Sequence, residues 1–235
     1  MNKYQLKESI AHHIRKNETL KKLIKIPYTF FLRKFLRKSF RKYALRALKE
    51  FTDCLEVNGY PYVLFAGTML GAIREHGFIK HDLDIDTAMW IDDFNPKMIM
   101  QLEQCGFKLI CNYEIDNGNW GKEFTFVYKK THIKIDIFFF YPPVDKLPYH
   151  CDFVHTKHSA IMPRRIEYNM YRLRRKIEFE GINLYIPANA EELCRQRYGK
   201  DYMIPNSKWD PVKTKANIVE WNSMIPLTTQ NIYHK

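Results

Sequence analysis

The chain has 235 residues, 46% of them hydrophobic and 15% aromatic, enough for one domain with a substantial core. Its formal net charge of +12 sits between residues 15 and 49, where thirteen Lys or Arg face the single acidic Glu18, leaving 25 basic against 25 acidic residues elsewhere. A basic appendage on a neutral body argues against a nucleic-acid binder, which also lacks any helix-turn-helix, RNP or zinc-finger pattern here, and no run approaches the ~20 apolar residues of a membrane span.

In chain order, residues 1–25 are charged and lack the apolar core of a signal peptide. Residues 30–42, FFLRKFLRKSFRK, set Phe31, Leu32, Phe35 and Leu36 at helical spacing among Arg and Lys, which predicts a basic amphipathic helix. A second helix is predicted from Ala44, Leu48, Phe51 and Leu55, with Asn58-Gly59 as its stop. Pro61 opens a short strand, YVLFA, ended by Gly67-Thr68; TMLGAIREHG then reads as a brief helix. The next strand, about residues 82–89, carries Asp82, Asp84 and Asp86 at every second position, and a helix capped at Asn95 with Pro96 in its first turn follows.

Further strands are expected near residues 107–115, 123–129 and 132–140. A basic cluster over residues 164–176, a hairpin turning at Gly181, a helix ending at Gly199 and an irregular proline-punctuated stretch complete the order. The pattern predicts an α+β fold with a mixed central sheet flanked by helices, divided into a helical appendage (1–42) and a main domain (43–235). The odd count of five cysteines, without a Cys-x-x-Cys pair, indicates neither a disulfide framework nor a zinc cluster and suits a reducing cytoplasm.

Three carboxylates on one strand face repel unless a cation lies between them. Asp84 and Asp86 share a face, and Asp136, among alternating isoleucines, joins them if its strand lies alongside. Such a trio suits Mg²⁺ or Mn²⁺, hard cations that take carboxylates together with substrate phosphates. The alternative for a bare Asp-x-Asp is solvated or turn-capping aspartates. Arg74 reads either as a bidentate phosphate donor or as a partner of Glu75, the 164–176 cluster as a phosphate site or a solvated face, and Trp120 as a stacking or a buried ring. His12, His13, His155 and His158 form no metal-ligand pattern.

GTMLGAIREHGFIKHDLDIDTAM, IKIDIFFF and FEGINLYIPANAEELCRQRYGKDYMIP together resemble the LicD and fukutin group of the nucleotidyltransferase superfamily, which shares the DNA polymerase beta palm fold. The first stretch is similar to the group's Gly-Thr-Leu-Leu-Gly and Asp-x-Asp-Ile-Asp signature, and the last to its Tyr-Gly-x-x-Tyr ending. The chain departs from the common bacterial pattern at His81, where tryptophan is frequent, and at Leu83, where a further aspartate is frequent.

The resemblance implies that Gly67, Thr68 and Arg74 meet the donor phosphates and that Asp84, Asp86 and Asp136 hold Mg²⁺ or Mn²⁺. Asp136 would also help take the acceptor proton, and Asp82 and His81 would support the ligands from behind. It implies transfer of a substituted phosphate, such as phosphocholine from CDP-choline, to a hydroxyl of a cell-surface glycan precursor of the lipopolysaccharide or capsule type, possibly lipid-linked. Placement at the inner face of a bacterial membrane, with the basic helix on its anionic surface, is expected from the same reading. Nucleotidyl transfer from a nucleoside triphosphate is the alternative within the class; a non-catalytic membrane- or nucleic-acid-binding protein is the alternative outside it.

Overall fold

A computed structural model of the chain describes residues 18–144, 146–155, 161–206, 209, 218–220 and 227–230. His12, His13, His158 and the first seventeen residues of the expected appendage lie outside them. Helix α1 (Glu18–Val57) runs for 40 residues through both helices expected from sequence, because neither Gly nor Pro separates the basic run from the apolar one. Its C-terminal half buries Phe40, Ala44, Ala47, Leu48, Phe51 and Leu55 at helical spacing. On its outer face Arg46 pairs with Glu50 at 2.8 Å and Lys49 with Asp53 at 2.6 Å. The helix stops where expected: Gly59 takes φ 77°, and the Tyr60 N–H donates to the Leu55 carbonyl at 2.9 Å.

Strands β1 (Val63–Leu64), β2 (Asp84–Trp90), β3 (Phe107–Ile115), β4 (Gly121–Tyr128), β5 (Lys134–Phe140) and β11 (Leu227–Gln230) form a mixed sheet in the order β1-β2-β5-β4-β3-β11. Its one parallel pair, β2 with β5, lies between β1 and β4. Helix α2 (Ala66–Glu75) joins β1 to β2, and helix α3 (Lys97–Gln104) follows β2. Strands β6 (Tyr149–His155), β7 (Ile161–Glu167) and β10 (Ile218–Glu220) make a second sheet, and β8 (Arg174–Phe179) with β9 (Ile182–Pro187) the expected hairpin. Helix α4 (Ala190–Tyr198) follows the hairpin. The architecture is thus the α+β arrangement with a mixed central sheet and flanking helices.

Alternation along the strands gives the central sheet two unlike faces. Ile85, Ile135, Ile137, Phe139, Phe124 and Phe126 point to one side and are buried there, with Phe51 of α1 against Phe126 at 6.1 Å and Phe94 against Phe139 at 5.3 Å. The other face carries Asp84, Asp86, Asp136 and Thr125 at one end and Phe138 and Phe140 towards the other, with Glu123 level with Phe138. One face builds the core; the other holds the chemistry. Among the described residues no helix is long and apolar enough to cross a membrane.

The cysteine expectation is corrected. Cys54, near the end of α1, forms a disulfide with Cys105, just past α3, with Cα atoms 6.5 Å apart. The two are 51 residues apart in sequence, so only the packing of α1 against α3 reveals the pair. Disulfides persist where thiols are not kept reduced, so the argument for a reducing cytoplasm loses its ground. Closing a loop of that length limits the unfolded chain, and reduction is expected to lower stability by about 2–4 kcal/mol. Urea unfolding with and without a reductant measures this; an unchanged midpoint would show that the bridge contributes nothing.

Candidate active site

The site begins with the sharp entry into α2. Phe65 is extended at φ −137°, and the Phe65 N–H donates to the Asp86 carbonyl at 3.1 Å. Ala66 then adopts φ 40°, a strained conformation for a residue with a β-carbon. This reversal aims the next N–H, of Gly67, at the Asp86 carboxylate, 2.9 Å from Oδ2. A β-carbon at position 67 would stand 3.1 Å from Asp86 Oδ2 and 3.4 Å from Asp82 Oδ2, so a glycine leaves these carboxylates their room. Thr68 is fully buried, and its hydroxyl accepts the Asp86 N–H at 2.9 Å. Gly67 and Thr68 therefore both hold Asp86 in this structure.

The parallel register sets Asp86 directly beside Asp136, and the antiparallel register sets Asp136 beside Thr125 on β4. Asp84 lies at the exposed rim next to Lys134. The strand starts at Asp84 rather than near residue 82; Asp82 sits in the preceding turn, its N–H on the Ile79 carbonyl at 3.1 Å, and reaches the cluster from there. His81 is exposed in the same turn.

Electrostatics follow from this crowding. Burial, then Asp84 and Asp136, hold the Asp86 carboxyl well above the usual carboxylate range. Burial, then Asp84 and Glu75, push Asp82 up to about 7. Asp136 is pushed up to about 6, chiefly by burial, with a Thr125 hydrogen bond working the other way. Asp82 Oδ2 and Asp136 Oδ1 are buried without a hydrogen-bond partner.

Two buried acceptors with free lone pairs, in an all-oxygen setting, fit a hard divalent cation. Among the described residues no group of three His, Cys, Asp or Glu side chains is placed to hold a metal ion by itself.

Several residues at the site carried no functional signal in the sequence, and Arg164 carried one only as part of the basic cluster. Glu123, two positions from Thr125 on the same face of β4, is held well above the usual range by burial and by Asp136 and Asp152. The β6–β7 hairpin lays His150, Asp152 and Arg164 over the carboxylate-bearing face: Arg164 donates to Asp152 at 2.9 Å, and His150 packs 5.2 Å from both Phe65 and Phe140. Burial pulls His150 down to about 4, so it is neutral at pH 7. Arg197, at the end of α4, donates to the Tyr168 hydroxyl at 3.1 Å and lies 5.4 Å from the Phe65 ring centre. Only the assembled fold brings α4 to the start of α2.

Arg74, Trp120 and the rest of the basic cluster are engaged as follows. Arg74 donates to Glu75 at 2.7 Å and to the Tyr202 carbonyl at 3.3 Å. In the basic cluster, Arg164 is buried, Arg172 pairs with Asp92, Arg175 pairs with Glu191, and Arg174 stacks 3.9 Å from the Tyr185 ring centre. Trp120, just before β4, is exposed rather than buried.

Residues 59–189 match the family described as LicD/FKTN/FKRP, nucleotidyltransferase domain, which covers more than half the chain. Ribitol-5-phosphate transferase FKTN of Mus musculus is 28% identical over 197 residues, 80% of this chain and 41% of that protein. The Homo sapiens protein of the same name is 26% identical over 198 residues, with the same shares. An uncharacterized protein of Caenorhabditis elegans is 36% identical over 108 residues, 45% of this chain and 28% of its own length. The chain thus spans about two-fifths of the length of the transferases it matches. With the signature residues gathered at one end of a mixed sheet and the family match lying over them, the chain belongs to the LicD/FKTN/FKRP nucleotidyltransferase domain family.

Proposed function

We propose that this chain transfers a phosphoalcohol from a nucleoside diphosphate donor to a hydroxyl of a glycan. The transferred group is a small alcohol phosphate, of which phosphocholine from CDP-choline and the ribitol 5-phosphate in the relatives' names are the two to test first. The observation that carries the reading is Asp86 set beside Asp136 in parallel register, with the Gly67 N–H on Asp86.

Asp84, Asp86 and Asp136 would hold Mg²⁺ or Mn²⁺. Such a cation neutralises the donor phosphates and makes an attacking hydroxyl more acidic. The acceptor oxygen attacks the phosphorus that carries the alcohol, the bond from that phosphorus to the nucleoside monophosphate breaks, and the monophosphate leaves. Asp136 would complete the site and help take the acceptor proton. The Gly67 N–H fixes Asp86, and Phe138 and Phe140 close the far end of this face against water.

The test is a donor panel of CDP-choline, CDP-ribitol and nucleoside triphosphates with a glycan acceptor and Mg²⁺. Nucleoside monophosphate release and a phosphodiester on the acceptor by phosphorus NMR are expected. Loss of activity in EDTA, with recovery on added Mg²⁺ or Mn²⁺, is expected as well; full turnover in chelator would overturn the metal assignment. Pyrophosphate release with nucleotide on the acceptor would establish nucleotidyl transfer instead.

Residues Lys34, Arg37, Lys38, Arg41 and Lys42 are exposed on α1, and Leu36 is exposed among them. This face suits an anionic membrane that carries a lipid-linked acceptor, at roughly 1 kcal/mol per basic residue near the surface. Removing residues 1–38 keeps Phe40, which is buried 5.0 Å from the Phe78 ring centre, and is expected to weaken salt-sensitive liposome binding sharply while sparing turnover on a soluble acceptor. Undiminished liposome binding by the shortened chain would remove this face from the reading.

A further inference from the structure

Arg197 lies past residues 59–189, next to the Tyr-Gly of the stretch that resembles the family's ending, and acts to lower the pKa of the Asp86 carboxyl. Among the described residues its guanidinium makes one hydrogen bond, to the Tyr168 hydroxyl, and its Nε is buried without an acceptor. The nearby carboxylates are engaged otherwise: Asp86 accepts the Gly67 N–H, and Asp152 accepts Arg164 at 2.9 Å. Burial opposes the charge of the guanidinium, and Tyr168, Tyr198, Asp152 and Asp86 favour it. The planar fork of a guanidinium matches two oxygens of one phosphate.

Its placement is fixed from two sides. Phe65 supports the guanidinium from below, and Phe65 is also the residue that turns the chain toward Gly67 and Asp86. Tyr168 is itself buried and stacked on His150, ring centres 5.6 Å apart and planes within 7°. Arg197 therefore belongs to the same rigid aromatic block as the entry into α2.

We propose that Arg197 binds the diphosphate of the nucleotide donor, across the site from Asp86, and that Tyr168 is the positioning residue that orients it. This rests on the donor class argued above. The mononucleotide and the transferred alcohol would then lie on either side of a diphosphate held between Arg197 and the carboxylates.

The experiment is calorimetric titration of the full chain with CDP in Mg²⁺, with cytidine as the phosphate-free control and thermal unfolding recorded without nucleotide. Arg197→Met is expected to weaken CDP binding at least about tenfold and to leave cytidine binding alone. Its melting temperature is recorded beside binding, so that a loss of fold is told apart from a loss of the phosphate contact. Tyr168→Phe is expected to weaken CDP binding by a smaller factor.

CDP affinity in Arg197→Met within twofold of wild type, or a melting temperature lowered together with cytidine binding, would overturn the proposal. Should Arg197→Met not fold, Arg197→Lys decides: wild-type CDP affinity in that variant rejects the bidentate role, and weakened affinity at an unchanged melting temperature supports it. Wild-type protein that binds none of CDP, UDP and ADP overturns the donor reading, and this proposal with it; failure in the Arg197 variants alone overturns only the latter.

Discussion

Asp86→Asn and Asp136→Asn are each expected to cut transfer by roughly a thousandfold while leaving the metal-free protein more stable than wild type. The two effects share one cause. Asparagine keeps the shape of aspartate, and its carbonyl oxygen can still accept the Gly67 N–H at position 86 or the Thr125 hydroxyl at position 136. What it removes is a negative charge that the fold disfavours and that cation binding needs.

For Asp136 the size and sign can be worked out. Its folded value of about 6 against an ordinary 3.8 corresponds to at most about 3 kcal/mol. Below pH 4 the carboxyl is protonated in both the folded and the unfolded chain, so variant and wild type differ little on this account. The wild-type penalty grows as pH rises from about 4 to 6 and is complete above that. In EDTA, the Asp136→Asn stability advantage is therefore expected to be largest at pH 7–8 and to vanish near pH 4. Urea midpoints across that range decide it. A variant less stable than wild type at pH 7.5 in chelator would mean that the carboxylate is satisfied in the fold and that crowding is not its defining feature.

The part of the site legible in sequence is the part written in local periodicity. Alternation alone places Asp84 with Asp86, and Asp136 among isoleucines, and the structure then supplies what alternation lacks: β5 lies beside β2 in the register that joins Asp86 to Asp136. Glu123, Asp152 and Arg197 were not legible, because each owes its place to a contact between elements distant in the chain. The β6–β7 hairpin was hidden for a related reason. Pro163 sits in the middle strand of its sheet, where a proline ordinarily argues against a strand. It is tolerated because β10 pairs with β7 only at Arg165 and Ile166. Cys54 and Cys105 likewise pair only once α1 packs against α3.

Arg74 shows the limit from the other side. Its spacing from Gly71 on one short helix permits both a phosphate contact and an ion pair with the adjacent Glu75, and the sequence contains nothing that ranks them. Here the guanidinium closes on Glu75 and on the Tyr202 carbonyl, so the segment just after α4 also decides where Arg74 points.

Phe65→Ala is expected to be the most destabilising single core substitution near the site, at about 3–5 kcal/mol. Phe65 is 1% exposed, and its ring meets Phe138 at 5.5 Å, Phe140 at 5.2 Å, His150 at 5.2 Å and Tyr168 at 6.1 Å, besides the Arg197 guanidinium. Truncation removes several aromatic contacts at once and leaves a cavity whose walls belong to two sheets and α4, which cannot all close on it. The same ring anchors the turn in which Ala66 is held at φ 40°, and a strained backbone persists only while its surroundings fix it. The variant is therefore expected to lose activity even where it remains folded, because the Gly67 N–H is no longer held on Asp86. Phe65→Leu keeps most of the volume and is expected to retain the fold with a smaller loss. Urea unfolding of both variants, with turnover measured where each is fully folded, separates the two roles. A Phe65→Ala cost below about 1 kcal/mol would mean that the ring is not the anchor. Full turnover in the folded variant would mean that the turn holds Gly67 in place without it.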